Sequence, residues 1–337
     1  MVSAGTLRLS RRNLVALAGG ATLTRGGALA QMPGGSAADT AGRDTGGVRW
    51  ITLANGYRVW TRRVGYGPCK VLLLHGGPGL SHDYLSCFAD FLPGAGYEVY
   101  FYDQLGCGRS DRPSDDRLWT LPRFLGEVEE VRAALGLDRF ILFGHSWGAI
   151  LGIEYALRYG SPLRALVLSN MSASFGDYAA YVRHLRDGLP SGVGSRMSAL
   201  EAAGKIGGSE YQGLITRYLY SRYICRLHPW PADVRRALAG LNEDIYLTMQ
   251  GPSEFTPTGN LKDWDRWNDL PRIAAPTLVM GARYDEMNPD SLRREADLIP
   301  GAELFISRNG SHLAMWDDRM AYFSTLLGFL AKHRAVP

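Results

Sequence analysis

Gly144-His145-Ser146-Trp147-Gly148 is the feature that most narrows what this chain can fold into. The apolar run Phe140-Ile141-Leu142-Phe143 leads into it, and an amphipathic stretch opening at Ala149 leads out. A serine between a strand end and a helix start needs a turn so sharp that side chains two residues before and two after it would strike neighbouring backbone. Glycine at both places is the answer to that crowding. The turn sets the serine hydroxyl at the C-terminal end of the strand, beside a helix N-terminus whose free N–H groups favour developing negative charge. Glycine and serine are common in turns, so the five residues alone say little; the flanking strand and helix make Ser146 a candidate nucleophile.

The same alternation runs through the chain. Short runs rich in Val, Ile, Leu, Phe and Tyr at 49–53, 57–62, 71–74, 99–103, 140–143, 165–168, 277–280 and 303–307 read as strands, the first two as a hairpin around Asn55-Gly56. Amphipathic stretches at 121–135, 149–159 and 320–333 read as helices between or after them. This predicts an α/β fold, a mostly parallel sheet with helices on both faces. From Ser172 to about Trp267 the strand pattern stops and helical stretches with Tyr, Leu and Trp take over. The expectation is a core in two parts, 48–171 and 268–337, with a helical cap at 172–267 restricting the pocket.

Serine is a poor nucleophile at neutral pH and needs a base. In the fold that uses this elbow the chain order is Ser, acid, His, and only His312 and His333 follow a plausible acid. His333 falls in the terminal helical stretch, whereas His312 falls in the loop expected after strand 303–307, so His312 is the base. Asp285, in the loop after strand 277–280, is the acid; Asp290 is a weaker rival and Asp317 comes after the histidine. His75-Gly76-Gly77-Pro78-Gly79 follows strand 71–74, where a loop N–H can complete an oxyanion hole, assigned here to Gly77 and Trp147.

The formal charge of +4 comes from 37 Lys+Arg against 33 Asp+Glu. Four arginines within residues 1–30 (Arg8, Arg11, Arg12, Arg25), where there is no acid, account for the whole excess. The remainder is balanced and lacks the basic footprint of a phosphate-backbone binder, which excludes nucleic acid as a partner. Ser10-Arg11-Arg12-Asn13-Leu14-Val15, a short apolar stretch and Ala28-Leu29-Ala30 resemble a twin-arginine export signal. That stretch is too short to span a bilayer. The expectation is an exported protein, periplasmic or extracellular, with 31–47 a flexible leader and no stable membrane insertion. Cys69, Cys87, Cys107 and Cys225 have no metal-ligand spacing and read as small buried apolar residues. No metal or organic cofactor is expected.

His75-Gly76-Gly77-Pro78-Gly79, Asp103-Gln104-Leu105-Gly106-Cys107-Gly108-Arg109-Ser110, the elbow at Ser146 and Ser311-His312 together resemble the proline iminopeptidase family of α/β-hydrolases. The likeness covers roughly 50–333. Gly251-Pro252-Ser253-Glu254-Phe255, with Leu261-Lys262-Asp263-Trp264-Asp265, is similar to the tricorn-interacting aminopeptidase branch. That resemblance implies that Glu254, and Glu286 just after the acid, hold the substrate's α-ammonium, with Tyr246 also facing the amine. Cys225-Arg226-Leu227-His228-Pro229-Trp230 resembles proline-amide hydrolases of the same family, which draws the reading toward small amino-acid amides. The implied activity is removal of an N-terminal proline or other small apolar residue from peptides, or hydrolysis of the corresponding amides. A carboxylesterase or lactonase with the same triad, and a non-catalytic hydrolase-like receptor, are the alternatives. Serine at 146 disfavours epoxide hydrolase and dehalogenase chemistry, which place Asp there. The sequence leaves oligomeric state open.

Overall fold

Each of the eight apolar runs forms a strand in a computed structural model that describes residues 47–334. The export-signal reading at 1–30 and the leader up to residue 46 lie outside the described residues. The strands are β1 (Val48–Thr52), β2 (Arg58–Val64), β3 (Cys69–Leu74), β4 (Tyr97–Asp103), β5 (Phe140–His145), β6 (Leu163–Ser169), β7 (Thr277–Tyr284) and β8 (Glu303–Ser311). They form one sheet in the order β1-β2-β4-β3-β5-β6-β7-β8. The β1–β2 and β2–β4 pairs are antiparallel, and every pair from β4–β3 through β7–β8 is parallel. β4 and β5 are buried at every position, as strands covered on both faces must be.

The flanking helices are α1 (Leu121–Leu135) and α2 (Trp147–Tyr159), followed after β7 by α8 (Pro289–Leu298) and after β8 by α9 (Ala314–Asp317) and α10 (Arg319–Lys332). α2 is buried along Trp147 to Ala156, consistent with its place against the sheet centre. Two strand ends run further than the apolar pattern suggests. After a register shift, pairing between β7 and β8 resumes at Tyr284 and Ser311, so His312 follows β8 directly instead of lying deeper in a loop. Cys69, Cys87, Cys107 and Cys225 are buried and none forms a disulfide among the described residues.

Between β6 and β7 the chain forms α3 (Phe175–Asp187), α4 (Val193–Ala202), α5 (Ser209–Ile215), a π-helical turn (Thr216–Ile224), α6 (Ala232–Ala239) and α7 (Glu243–Met249). The two ends of this insertion are tied together at a neck. Phe175 N–H donates to Trp264 O (2.9 Å) and Arg266 N–H to Ala173 O (2.8 Å). The neck is anchored to α2, because the Trp264 indole (2.7 Å) and the Arg266 guanidinium (2.6 Å) both donate to Glu154 Oε1. The insertion thereby roofs the C-terminal ends of the parallel strands, and a cavity opens between roof and sheet.

Candidate active site

Ser146 links β5 to α2 with φ 55° and ψ −125°, a conformation that costs energy for any residue carrying a side chain. The surrounding contacts hold it there. Ser146 N–H donates to Ser169 O (2.8 Å), and the packing leaves no room for alternatives. A methyl group on Gly144 would lie 2.1 Å from Gly148 O, and one on Gly148 would lie 2.2 Å from Leu74 O. The two elbow glycines are therefore required by backbone-on-backbone contact. Trp147 is the first residue of α2, where an N–H has no intrahelical acceptor.

The loop after β3 presses on the serine from the other side. A methyl on Gly76 would come within 3.0 Å of Ser146 Cβ. Gly76 N–H is already committed to Tyr84 Oη (2.6 Å), whereas Gly77 N–H has no intramolecular acceptor among the described residues. The loop after β4 braces this arrangement. Gln104 donates its side-chain amide to His75 O (3.0 Å) and its backbone N–H to His75 Nε2 (3.1 Å), and accepts from the Trp147 indole (2.8 Å). Burial pushes His75 down to about 4, so it stays neutral as that acceptor.

Asp285, at the end of β7, is fully buried and saturated with donors. His312 Nδ1 lies 2.9 Å from Asp285 Oδ1, Met287 N–H donates to the same oxygen (3.2 Å), and Asn170 Nδ2 donates to Oδ2 (2.6 Å). A carboxylate on Nδ1 fixes that nitrogen as the protonated one and turns Nε2 into the basic atom. Ser146 and His312 line the same cavity. Asp290 lies instead in the first turn of α8, where its N–H donates to Oδ1 of the capping residue Asn288 (3.0 Å).

A second imidazole stands behind the first. His145 Nε2 lies 2.9 Å from His312 O, and His145 Nδ1 lies 2.9 Å from Tyr84 Oη. Burial, with the neighbouring His312 second, holds His145 well below the usual imidazole range. A neutral ring facing a carbonyl must place its proton on Nε2, so Nδ1 accepts from Tyr84. A continuous run of donors and acceptors thus joins the Gly76 loop, through Tyr84 and His145, to the backbone of His312. Sequence reading passed over Tyr84 and Asn170, and gave His145 no part beyond its variable place in the elbow.

Across the cavity, Glu254 is held by the roof. Tyr246 donates to Oε1 (2.8 Å), while Tyr178 (3.1 Å) and Gln250 (3.2 Å) donate to Oε2. Tyr246 lines the cavity and is committed to orienting Glu254. Tyr178 and Gln250, 76 and 4 residues away in the chain, carried no recognisable sequence signal. Glu286 lies beside them in a different condition. It is fully buried, and neither carboxylate oxygen has a hydrogen-bond partner among the described residues. Burial, then Glu254 and Asp285, push its carboxyl well above the usual range, and burial also raises Glu254. Glu286 Oε1 is 3.7 Å from His312 Nδ1. A buried acid pair with an unpartnered member is a demand for a cation or for shared protons.

A family model described as the alpha/beta hydrolase fold matches residues 70–319. A proline iminopeptidase of Chitinophaga pinensis is 43% identical over 280 residues, covering 81% of this chain and 94% of that protein. One from Elizabethkingia meningoseptica is 41% identical, covering 83% and 95%. Among solved structures, VinJ superposes with a TM-score of 0.82 at 34% identity, covering 87% of this chain and 100% of that one. The proline iminopeptidase of Mycobacterium smegmatis superposes with a TM-score of 0.77 at 31% identity, covering 85% and 98%.

Proposed function

The chain belongs to the proline iminopeptidase family of α/β-hydrolases, and we propose that it acts as a serine aminopeptidase and amino-acid amidase on small substrates with a free N-terminal amine. The observation that carries the amine requirement is the buried, unpartnered Glu286 carboxylate beside Glu254 and His312. An ammonium on the carbon next to the scissile carbonyl would satisfy both acids and hold that carbonyl at a set distance from Ser146.

In the reaction, Ser146 Oγ attacks the carbonyl carbon as its proton passes to His312 Nε2. Asp285 stabilises the imidazolium through Nδ1–H. The N–H groups of Gly77 and Trp147 receive the oxyanion. The C–N bond then breaks, His312 gives its proton to the departing nitrogen, and an acyl-enzyme ester remains. Water, deprotonated by His312, cleaves the ester and restores Ser146. The acyl group is the N-terminal residue, proline or another small apolar one.

The test is hydrolysis of proline and alanine p-nitroanilides, free and N-acetylated, with Ser146→Ala as control. Cleavage of free substrates alone is the expected result. Equal cleavage of acetylated anilides or of simple esters would remove the amine anchor and leave a general carboxylesterase. Export is also part of the proposal, on the strength of Arg11-Arg12 and the Ala28-Leu29-Ala30 segment. Replacing both arginines by lysine should retain the protein in the cytoplasm; unchanged export would end that reading.

A further inference from the structure

The departing half of the substrate has its own wall in the cavity, and its position follows from the chemistry. Because His312 must hand a proton to the leaving nitrogen, that nitrogen and whatever it carries leave past His312. The next residue, Leu313, lines the cavity there and donates its N–H to Ile224 O (2.9 Å). Ile224 is the last residue of the π-helical turn. Beyond it the wall continues through Trp230, whose indole donates to Cys225 O (2.9 Å), to Val234, Ala237 and Leu238 on α6. α6 is held down on the sheet through the short helix His82–Asp90, where Ser86 bonds Asp233 and Asp83 pairs with Arg236 (2.8 Å). This wall is a fixed apolar surface.

The charges around it are one-sided. The cavity is lined by the carboxylates Glu243 and Glu254, and no Lys or Arg occurs among the described residues that line it. A free carboxylate on the leaving group would lose its water against an apolar wall with no cation to meet it. An uncharged alkyl or aryl group would gain from the same burial.

We propose that Ile224, Trp230, Val234, Ala237, Leu238 and Leu313 form a leaving-group subsite for uncharged apolar amines: amides, arylamides, and peptides whose second residue is apolar and whose carboxyl is blocked or lies further along. Dipeptides with a free carboxylate are excluded by it. This rests on the exo-acting serine reading above and narrows it to one side of the scissile bond.

The experiment compares kcat/KM for Pro-Leu amide, Pro-Leu free acid and prolinamide, the last releasing only ammonia. The amide of Pro-Leu should exceed the free acid by about a hundredfold, the scale expected for an unpaired charge in an apolar site. Leu238→Lys, at a partly buried position on α6, should narrow that ratio at least about tenfold. Equal cleavage of acid and amide by the wild-type protein would overturn the proposal, whatever the variant does. So would an unchanged ratio in a variant that still cleaves prolinamide. If the variant does not fold, the wild-type ratio alone decides. Failure of the exo-acting reading looks different: N-acetyl-prolinamide would then be cleaved as fast as prolinamide.

Discussion

The strand ends of the core and the roof above them hold buried carboxylates in opposite conditions. Asp285 and Glu286 are adjacent in sequence and both fully buried. Asp285 accepts from Asn170, Met287 and His312, so its charge is spent inside the protein on holding one imidazole. Glu286 accepts from nothing among the described residues, and Glu254 opposite it is oriented by Tyr246, Tyr178 and Gln250. The core is finished before substrate arrives. Under the proposed function the substrate amine would complete the Glu254–Glu286 pair, and binding energy released there could be used to position the carbonyl.

Removing the core's reacting groups should cost the most. Ser146→Ala should lower kcat by about 10⁶ and Asp285→Asn by about 10⁴, since Asn frees the wrong tautomer of His312. Steady-state rates on alanine p-nitroanilide decide this, and activity above about one per cent in Asp285→Asn would show that orientation by Asp285 is dispensable. Glu286→Gln should act on the other side of the comparison. It should lower kcat/KM for free-amine substrates by about a hundredfold, the equivalent of about 2.7 kcal/mol of charge-assisted bonding, and leave acetylated substrates unaffected. An equal loss on both classes would assign Glu286 to the core's machinery instead.

A smaller effect is expected from Tyr84→Phe, which strips Gly76 N–H of its acceptor and His145 Nδ1 of its donor. We expect kcat to fall about tenfold with KM nearly constant, read by stopped-flow or steady-state kinetics. A change in KM alone would mean that the Tyr84–His145 run does not position the reacting groups.

The smallest effect concerns stability. The folded-state carboxyl of Glu286 is raised, so the native protein holds a proton that the unfolded chain releases at the ordinary glutamate value. Its contribution to stability is therefore present below that value and is lost as pH rises toward the raised one. Glu286→Gln keeps the neutral form at all pH, and should raise Tm at pH 7 by a few degrees, about 2–4 °C per kcal/mol for a chain of this size. A lower Tm for the variant would mean that a charged Glu286 is stabilised by the fold. The acid limb of kcat/KM on free-amine substrates should also lie above the ordinary carboxylate range, because the amine is held only once the acids have lost their protons.

The elements were legible where local physics decides them. Glycines 144 and 148 are demanded because a methyl group there would lie 2.1 and 2.2 Å from backbone carbonyl oxygens, and a requirement that strict shows in one sequence. The strands of the parallel sheet read as continuous apolar runs because helices cover both faces, and the loops that carry Asp285 and His312 follow the ends of two of them. The β8 boundary was harder, since Arg308, Asn309 and Gly310 have no apolar pattern and fall within the strand only because pairing with β7 resumes beyond them at Ser311.

What the sequence determined by itself is thus the sharp turn at Ser146, the alternation of strands and helices, and the chain order of serine, acid and histidine. The first two depend on residues within one turn or one strand of each other, and the third on the order in which the fold uses its loops. What only the tertiary structure decided is who satisfies whom inside the cavity. Tyr84 reaches His145 across 61 residues, Tyr178 reaches Glu254 across 76, and Asn170 reaches Asp285 across 115. The first and last meet because of how the core strands and their loops are arranged, and the second because of packing within the roof. The contrast between a satisfied Asp285 and an unsatisfied Glu286 has the same origin, because two adjacent carboxyls differ only in what the folded chain brings to them.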